Sequence, residues 1–133
     1  MRKHFIAILP IVLLVPVFLF ARAEGQFDRT LPVSGAVNLD LTTGSGDVTI
    51  KTGGSNQVVV HGRVRSTNDW FGGNADSVVH SVESNPPIEQ NGSTIRIGYN
   101  LPEDAKRHVS ISYEVTVPAD TTVQAGSDRK SVV

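Results

Sequence analysis

Beyond residue 23, apolar and polar residues alternate along most of this chain. A two-residue period is the mark of a strand with one buried face. The alternation is cleanest from His108 to Val117, where Val109, Ile111, Tyr113, Val115 and Val117 fall on one face and His108, Ser110, Ser112, Glu114 and Thr116 on the other. Pro118 follows; it lacks a main-chain donor and stops the ladder. In the same way Val37, Leu39 and Leu41 oppose Asn38, Asp40 and Thr42, and Val48 and Ile50 oppose Asp47, Thr49 and Lys51. Val58, Val60 and Val64 oppose His61, Arg63 and Arg65, while Ile95, Ile97 and Tyr99 oppose Thr94 and Arg96. Asp28 to Val33 reads as a weaker strand, and Ser77 to Glu83 as a further strand of mixed polarity. Helical periodicity is almost absent. The fold class predicted is all-β, a β-solenoid or β-roll-like stack of short strands, with a β-sandwich as the alternative.

The joints between these segments have their own chemistry. Gly44-Ser45-Gly46-Asp47 and Gly53-Gly54-Ser55-Asn56 supply residues that tolerate positive φ. Asn91-Gly92 predicts a hairpin between Ile88-Glu89 and Ile95. Asn85-Pro86-Pro87 forces an extended turn. Ser66 to Asp76 reads as a long exposed loop, and Leu101 to Arg107 as another, with a helical turn admitted after Pro102.

The first 23 residues follow a different pattern. Met1-Arg2-Lys3-His4 is positive, Phe5 to Phe20 is apolar and uncharged, and Ala21-Arg22-Ala23 places small residues at both positions of an A-x-A site. That is the order of a secretory signal peptide, here a signal helix cleaved after Ala23. The rival is an uncleaved membrane anchor. A spanning helix needs about 20 apolar residues, and this run is shorter and carries Pro10 and Pro16. Both readings put the rest of the chain outside the cytoplasm: periplasmic, cell-surface or secreted.

Charge and composition narrow the partners. The 133 residues hold 12 Lys and Arg, 13 Asp and Glu and no cysteine. Arg2, Lys3 and Arg22 lie in the signal, so the mature part has nine basic residues against 13 acidic ones, about −4. This balance argues against nucleic acid, whose phosphates need a basic face, and against docking on anionic lipid once the signal is removed. Without cysteine there are no disulfides, no cysteine-ligated zinc and no thiol catalysis.

Leu41-Thr42-Thr43-Gly44-Ser45-Gly46-Asp47-Val48 is echoed by Val123-Gln124-Ala125-Gly126-Ser127-Asp128. Strand, glycine-serine turn, strand is a solenoid-type unit, and such units bury their apolar face by stacking on neighbours. Three stretches, residues 43–50, Tyr113-Glu114-Val115-Thr116-Val117-Pro118 and Ala125-Gly126-Ser127, resemble the DUF4097 family of bacterial exported, adhesin-like proteins. The resemblance covers roughly residues 27–127. It implies an envelope-associated β-solenoid in which Gly-Ser-Gly-Asp turns recur after the Val-Pro element. The family's adhesin label follows from fold and carries little functional weight. Where that pattern would continue, the chain reads Asp128-Arg129-Lys130-Ser131-Val132-Val133. This hexapeptide matches translated sequencing-adapter read-through. The expectation is therefore a signal peptide (1–23), the N-terminal part of an all-β adhesin-like domain (24–127) and a non-native tail (128–133). A last strand with an open edge would invite self-association.

Candidate chemistry is sparse. His61, His80 and His108 lie on separate predicted strands without metal-ligand spacing and read as solvated. Asp47 follows Gly46 directly, which breaks the spacing of a calcium-binding β-roll repeat, so it reads as a cap on its own turn. No Gly-x-Ser-x-Gly, phosphate loop or dinucleotide fingerprint occurs. Glu103-Asp104 sits beside Lys106-Arg107, which predicts local ion pairing. Catalytic, cofactor and metal residues are accordingly none. Two partner-binding candidates remain. Trp70-Phe71, in a glycine-rich loop, are suited to stacking on a sugar or filling a partner's pocket, or else to folding back over the core. His61, Arg63 and Arg65 share one strand face suited to an anionic partner, or else simply solvated.

The functional expectation is an exported, non-catalytic envelope module that binds an envelope protein or glycan by shape. The alternatives are an envelope-stress or signalling accessory domain and, less favoured, a carbohydrate-active enzyme. N-terminal sequencing of the exported protein is expected to begin Glu24-Gly25-Gln26; a sequence that still contains Phe5 to Phe20 would establish the anchor instead.

Overall fold

A computed structural model describes residues 24–67 and 75–127. The signal segment, Trp70-Phe71 and the 128–133 tail lie outside the described residues. Among the described residues, eight strands and two short helices follow in the order β1 (Glu24–Pro32), β2 (Val37–Thr43), β3 (Val48–Thr52), β4 (Gln57–Ser66), α1 (Ala75–Ser84), β5 (Ile88–Asn91), β6 (Thr94–Ile97), α2 (Glu103–His108), β7 (Val109–Val117) and β8 (Thr121–Ser127). The protein is thus mostly β, as the alternation predicts.

The strands make two four-stranded sheets, A in the order β1-β4-β7-β3 and B in the order β5-β6-β2-β8. Both are mixed. In sheet A, β4 pairs antiparallel with β1 and β7 while β3 runs parallel to β7. In sheet B, β5 and β6 form an antiparallel hairpin and β2 runs parallel to both β6 and β8. Antiparallel and parallel pairs therefore stand side by side in open sheets, and the described residues do not form a run of identical coils.

One apolar core lies between the sheets. Leu39, Leu41, Ile95 and Ile97 come to it from sheet B, and Val58, Val60, Val64, Ile111, Tyr113 and Val115 from sheet A. These are the residues that alternation placed on the inner faces. Burying a side chain of this kind contributes about 1.5–3 kcal/mol, so a one-residue register slip in β4 or β7 would forfeit several such terms at once.

Gly62 solves a packing problem in that core. It faces Phe27 on β1 and Tyr113 on β7 across the ladder. The two rings meet edge to face with centroids 6.3 Å apart. A Cβ on Gly62 would lie 2.1 Å from the Phe27 ring, so only glycine leaves room for the aromatic pair.

Three expectations need correction. Ser77 to Glu83 is not a strand; it lies within α1, where Val79 and Val82 are buried and Val78 packs beside them. Valines at i, i+1 and i+4 make a helical stripe, and the mixed polarity was the sign that a two-residue period had failed. Helix α1 lies against β1 and β4, close enough at Gly25 for Glu83 Oε2 to accept the Gln26 amide at 2.9 Å. Tyr99 does not share the inner face with Ile95 and Ile97. β6 ends at Ile97, Gly98 has φ 92°, and Tyr99 emerges exposed beneath the Arg96 guanidinium, 4.2 Å from its ring centroid. The weak strand at Asp28 to Val33 is in fact β1, nine residues long from Glu24. The turn admitted after Pro102 is α2, with acids in its first turn and bases in its last, the charge order that complements a helix dipole.

Gly62→Ala is expected to destabilise the fold by about 1–3 kcal/mol, the usual cost of overpacking. In a Phe27→Leu background the same substitution should cost less, a coupling readable by urea unfolding of the double-mutant cycle. Additive effects would show that the ring does not occupy the space over Gly62.

Candidate functional site

The outer face of sheet A is built by the polar halves of its alternating strands. Pairing sets its residues in rows: Glu24–Arg65–Ser110, then Gln26–Arg63–Ser112, then Asp28–His61–Glu114–Thr49. The sequence-predicted set His61, Arg63 and Arg65 therefore does share one face, at the centre of the sheet. A shallow cavity of about 280 Å³ opens there, lined by these three residues together with Asp47, Thr49, Ser112 and Glu114.

Charges at the margin of this cavity are matched. Lys51 Nζ donates to Glu114 Oε1 at 2.9 Å. His61 Nδ1 lies 2.5 Å from Asp28 Oδ1. The two arginines differ. Both are exposed, their cross-strand neighbours on β7 are the hydroxyl residues Ser110 and Ser112, and no ion pair of either occurs among the described residues. Residues i and i+2 of a strand project from one face about 7 Å apart. Two guanidinium forks at that spacing can each take a carboxylate or phosphate oxygen pair.

The predicted turn motif joins this face from below. Thr43 to Asp47 carries the chain from β2 in sheet B to β3 in sheet A, and β7 holds it there. Ser45 O accepts from Ile111 N at 3.2 Å and from the Ser110 hydroxyl at 2.9 Å, and Asp47 O accepts from Tyr113 N at 2.8 Å. Asp47 N donates to Ser112 Oγ at 3.2 Å, and the buried Thr43 hydroxyl donates toward Ile111 O at 2.9 Å. Gly46 has φ 124°, and a Cβ there would meet Ile111 O at 2.2 Å. Asp47 thus reaches the arginine cavity, whereas Gly44 and Ser45 line a different cavity on the inner side of β7. Sequence reasoning identified the turn but missed that it separates two cavities, because the seating depends on β7, more than 60 residues away (|i−j| = 65).

The remaining candidates separate. Trp70 and Phe71 lie outside the described residues. His80 is on α1, 3.5 Å from Glu83, and His108 closes α2, 3.6 Å from Asp104, so neither is a solvated strand histidine. Lys106 pairs with Glu103 at 3.1 Å, the local ion pairing the sequence suggested. Among the described residues no group of three His, Cys, Asp or Glu could hold a metal ion, and no helix is long and apolar enough to cross a membrane.

Comparison with protein-family profiles, curated proteins and solved structures found no match. The likeness to DUF4097 therefore rests on the three stretches that carry it.

The Lys51 ammonium, by its hydrogen bond and charge, holds the Glu114 carboxyl below the usual carboxylate range. A folded-state value below the unfolded one means that the pair stabilises the fold above the unfolded value, and that this contribution is lost as pH falls through the folded value. In Lys51→Met, the Glu114 midpoint read by NMR is expected to rise, and the stability gap to the parent at neutral pH should close in acid. An unchanged midpoint would show that the pair does not persist in solution.

Proposed function

We propose that this chain is an exported, non-catalytic envelope module that recognises an anionic group on an envelope protein or glycan through the outer face of sheet A. The observation that carries this reading is the contrast on that face. Lys51 and His61 are each matched to a carboxylate, while Arg63 and Arg65 at its centre have no ion pair among the described residues. Surface arginines usually cost little to leave solvated, but two of them on one face of a strand offer two planar forks that can close on a planar anion. The shape and charge of the face do the recognising, with no nucleophile, base or metal required.

Export rests on the charged, apolar and small-residue order of positions 1–23. The solenoid-type and DUF4097 readings are supported by the parallel pairs β2–β8 and β3–β7 and by the Gly-Ser-Gly-Asp corner between β2 and β3. Self-association is supported by β3 and β8. Each is one of the two edge strands of its sheet, and they lie against each other, so two unpaired ladder edges come together.

Binding to carboxylated and to neutral glycans, and to isolated envelopes, tests the proposal. The Arg63→Ala/Arg65→Ala variant is expected to lose about ten- to a hundredfold in affinity for the anionic ligand, the scale of one charge-assisted hydrogen bond. Binding by the parent should also weaken with added salt. Equal binding of carboxylated and neutral ligands, or a variant that binds as well as the parent, would contradict it.

A further inference from the structure

The second cavity at the corner has a different chemistry. It holds about 350 Å³ and lies on the inner side of β7, between the Thr42–Ser45 segment, the Gly98–Leu101 loop and Lys106 of α2. That volume is at the small end of the ~300–1,000 Å³ typical of ligand pockets. Leu101, Val109 and Ile111 supply apolar walls, and Thr42, Ser45, Tyr99 and Lys106 a polar rim. One cation and no carboxylate belong to the lining.

Tyr113 makes this cavity more than a gap in packing. The residue is only 3% exposed. Its hydroxyl has no hydrogen-bond partner among the described residues, yet the atom is not sealed from solvent. Tyr113 touches two cavities. The arginine cavity is lined by the outward residues Ser112 and Glu114, whereas this one is lined by Val109 and Ile111, which share the core face with the Tyr113 ring. A hydroxyl that water can reach can exchange that water for a ligand group that reproduces its hydrogen bond. Burial also pushes its pKa up, so the group stays a neutral donor. Among the described residues the Lys106 ammonium is held only by Glu103 at 3.1 Å, an exposed i,i+3 pair. Such pairs contribute little and yield readily to a better-placed anion.

We propose that this cavity binds a small hydroxylated carboxylate with an apolar, ring-sized body. Its carboxylate meets Lys106 at the rim, its body lies on Leu101, Val109 and Ile111, and its hydroxyl pairs with Tyr113. This site is independent of the arginine face: the two lie on opposite sides of β7 and share none of the side chains invoked for binding.

Three probes test it by NMR titration of the full chain: 4-hydroxybenzoate, benzoate and 4-hydroxybenzamide. The parent is expected to bind 4-hydroxybenzoate saturably, with shifts centred on Thr42, Ser45, Gly98, Leu101 and Val109. Benzoate and the amide should each bind about tenfold more weakly, the effect of 1.4 kcal/mol. Tyr113→Phe keeps the ring against Phe27 and should erase the preference over benzoate alone. Lys106→Gln should erase the preference over the amide alone. Arg63→Ala/Arg65→Ala should change neither, which separates this site from the face proposed above. Absence of saturable shifts, shifts centred elsewhere, or preferences that survive both single substitutions would overturn the proposal.

Discussion

The seat of the Thr43–Asp47 corner on β7 is the constraint from which the rest of the architecture follows. A chain that leaves one sheet for another normally gives up its ladder at the crossing. Here Ser45 O and Asp47 O accept from Ile111 N and Tyr113 N, so β7 begins pairing with the chain before β3 has formally started. Buried main-chain groups must be satisfied, and the corner meets that demand with the β7 main chain together with the Thr43, Ser110 and Ser112 hydroxyls. The requirement falls on Gly46, whose φ of 124° and contact with Ile111 O leave no place for a side chain.

Both candidate sites are consequences of that seat. β7 has β4 on one side and β3 on the other, so its outward residues complete the arginine face while its inward residues line the core and the second cavity. The corner places Asp47 on the first side and Gly44 and Ser45 on the second. The aromatic pair Phe27–Tyr113 over Gly62 then fixes β7 against β4 and β1 from the core side. One strand thus anchors the parallel half of the molecule to its antiparallel half. A disturbance at the corner should reach both faces.

Much of this was legible in the sequence. The alternation in β4 and β7 named the inner residues correctly, and it put His61, Arg63 and Arg65 on one face, because a two-residue period in a sheet with one wet face admits a single solution. The Asn91-Gly92 hairpin and the helical turn after Pro102 also rested on local chemistry. What depended on distant chain was not legible. Helix α1 is the exception in part: Val78, Val79 and Val82 make a helical stripe, but the stripe is short and the β1 and β4 surface it covers is set by distant chain. Tyr99 changed faces because Gly98 turns against Thr42, a contact with β2 rather than a property of β6. The cavity at Tyr113 draws on three separated segments, and nothing in any one of them signals it.

Amide hydrogen exchange on the parent and on Gly46→Ala tests the seat of the corner most directly. The account predicts that Ile111 and Tyr113 are strongly protected in the parent. Gly46→Ala should deprotect both, together with β3, while the β1–β4 ladder keeps its protection. Rapid exchange of Ile111 and Tyr113 in the parent, or protection there that survives the substitution, would contradict it.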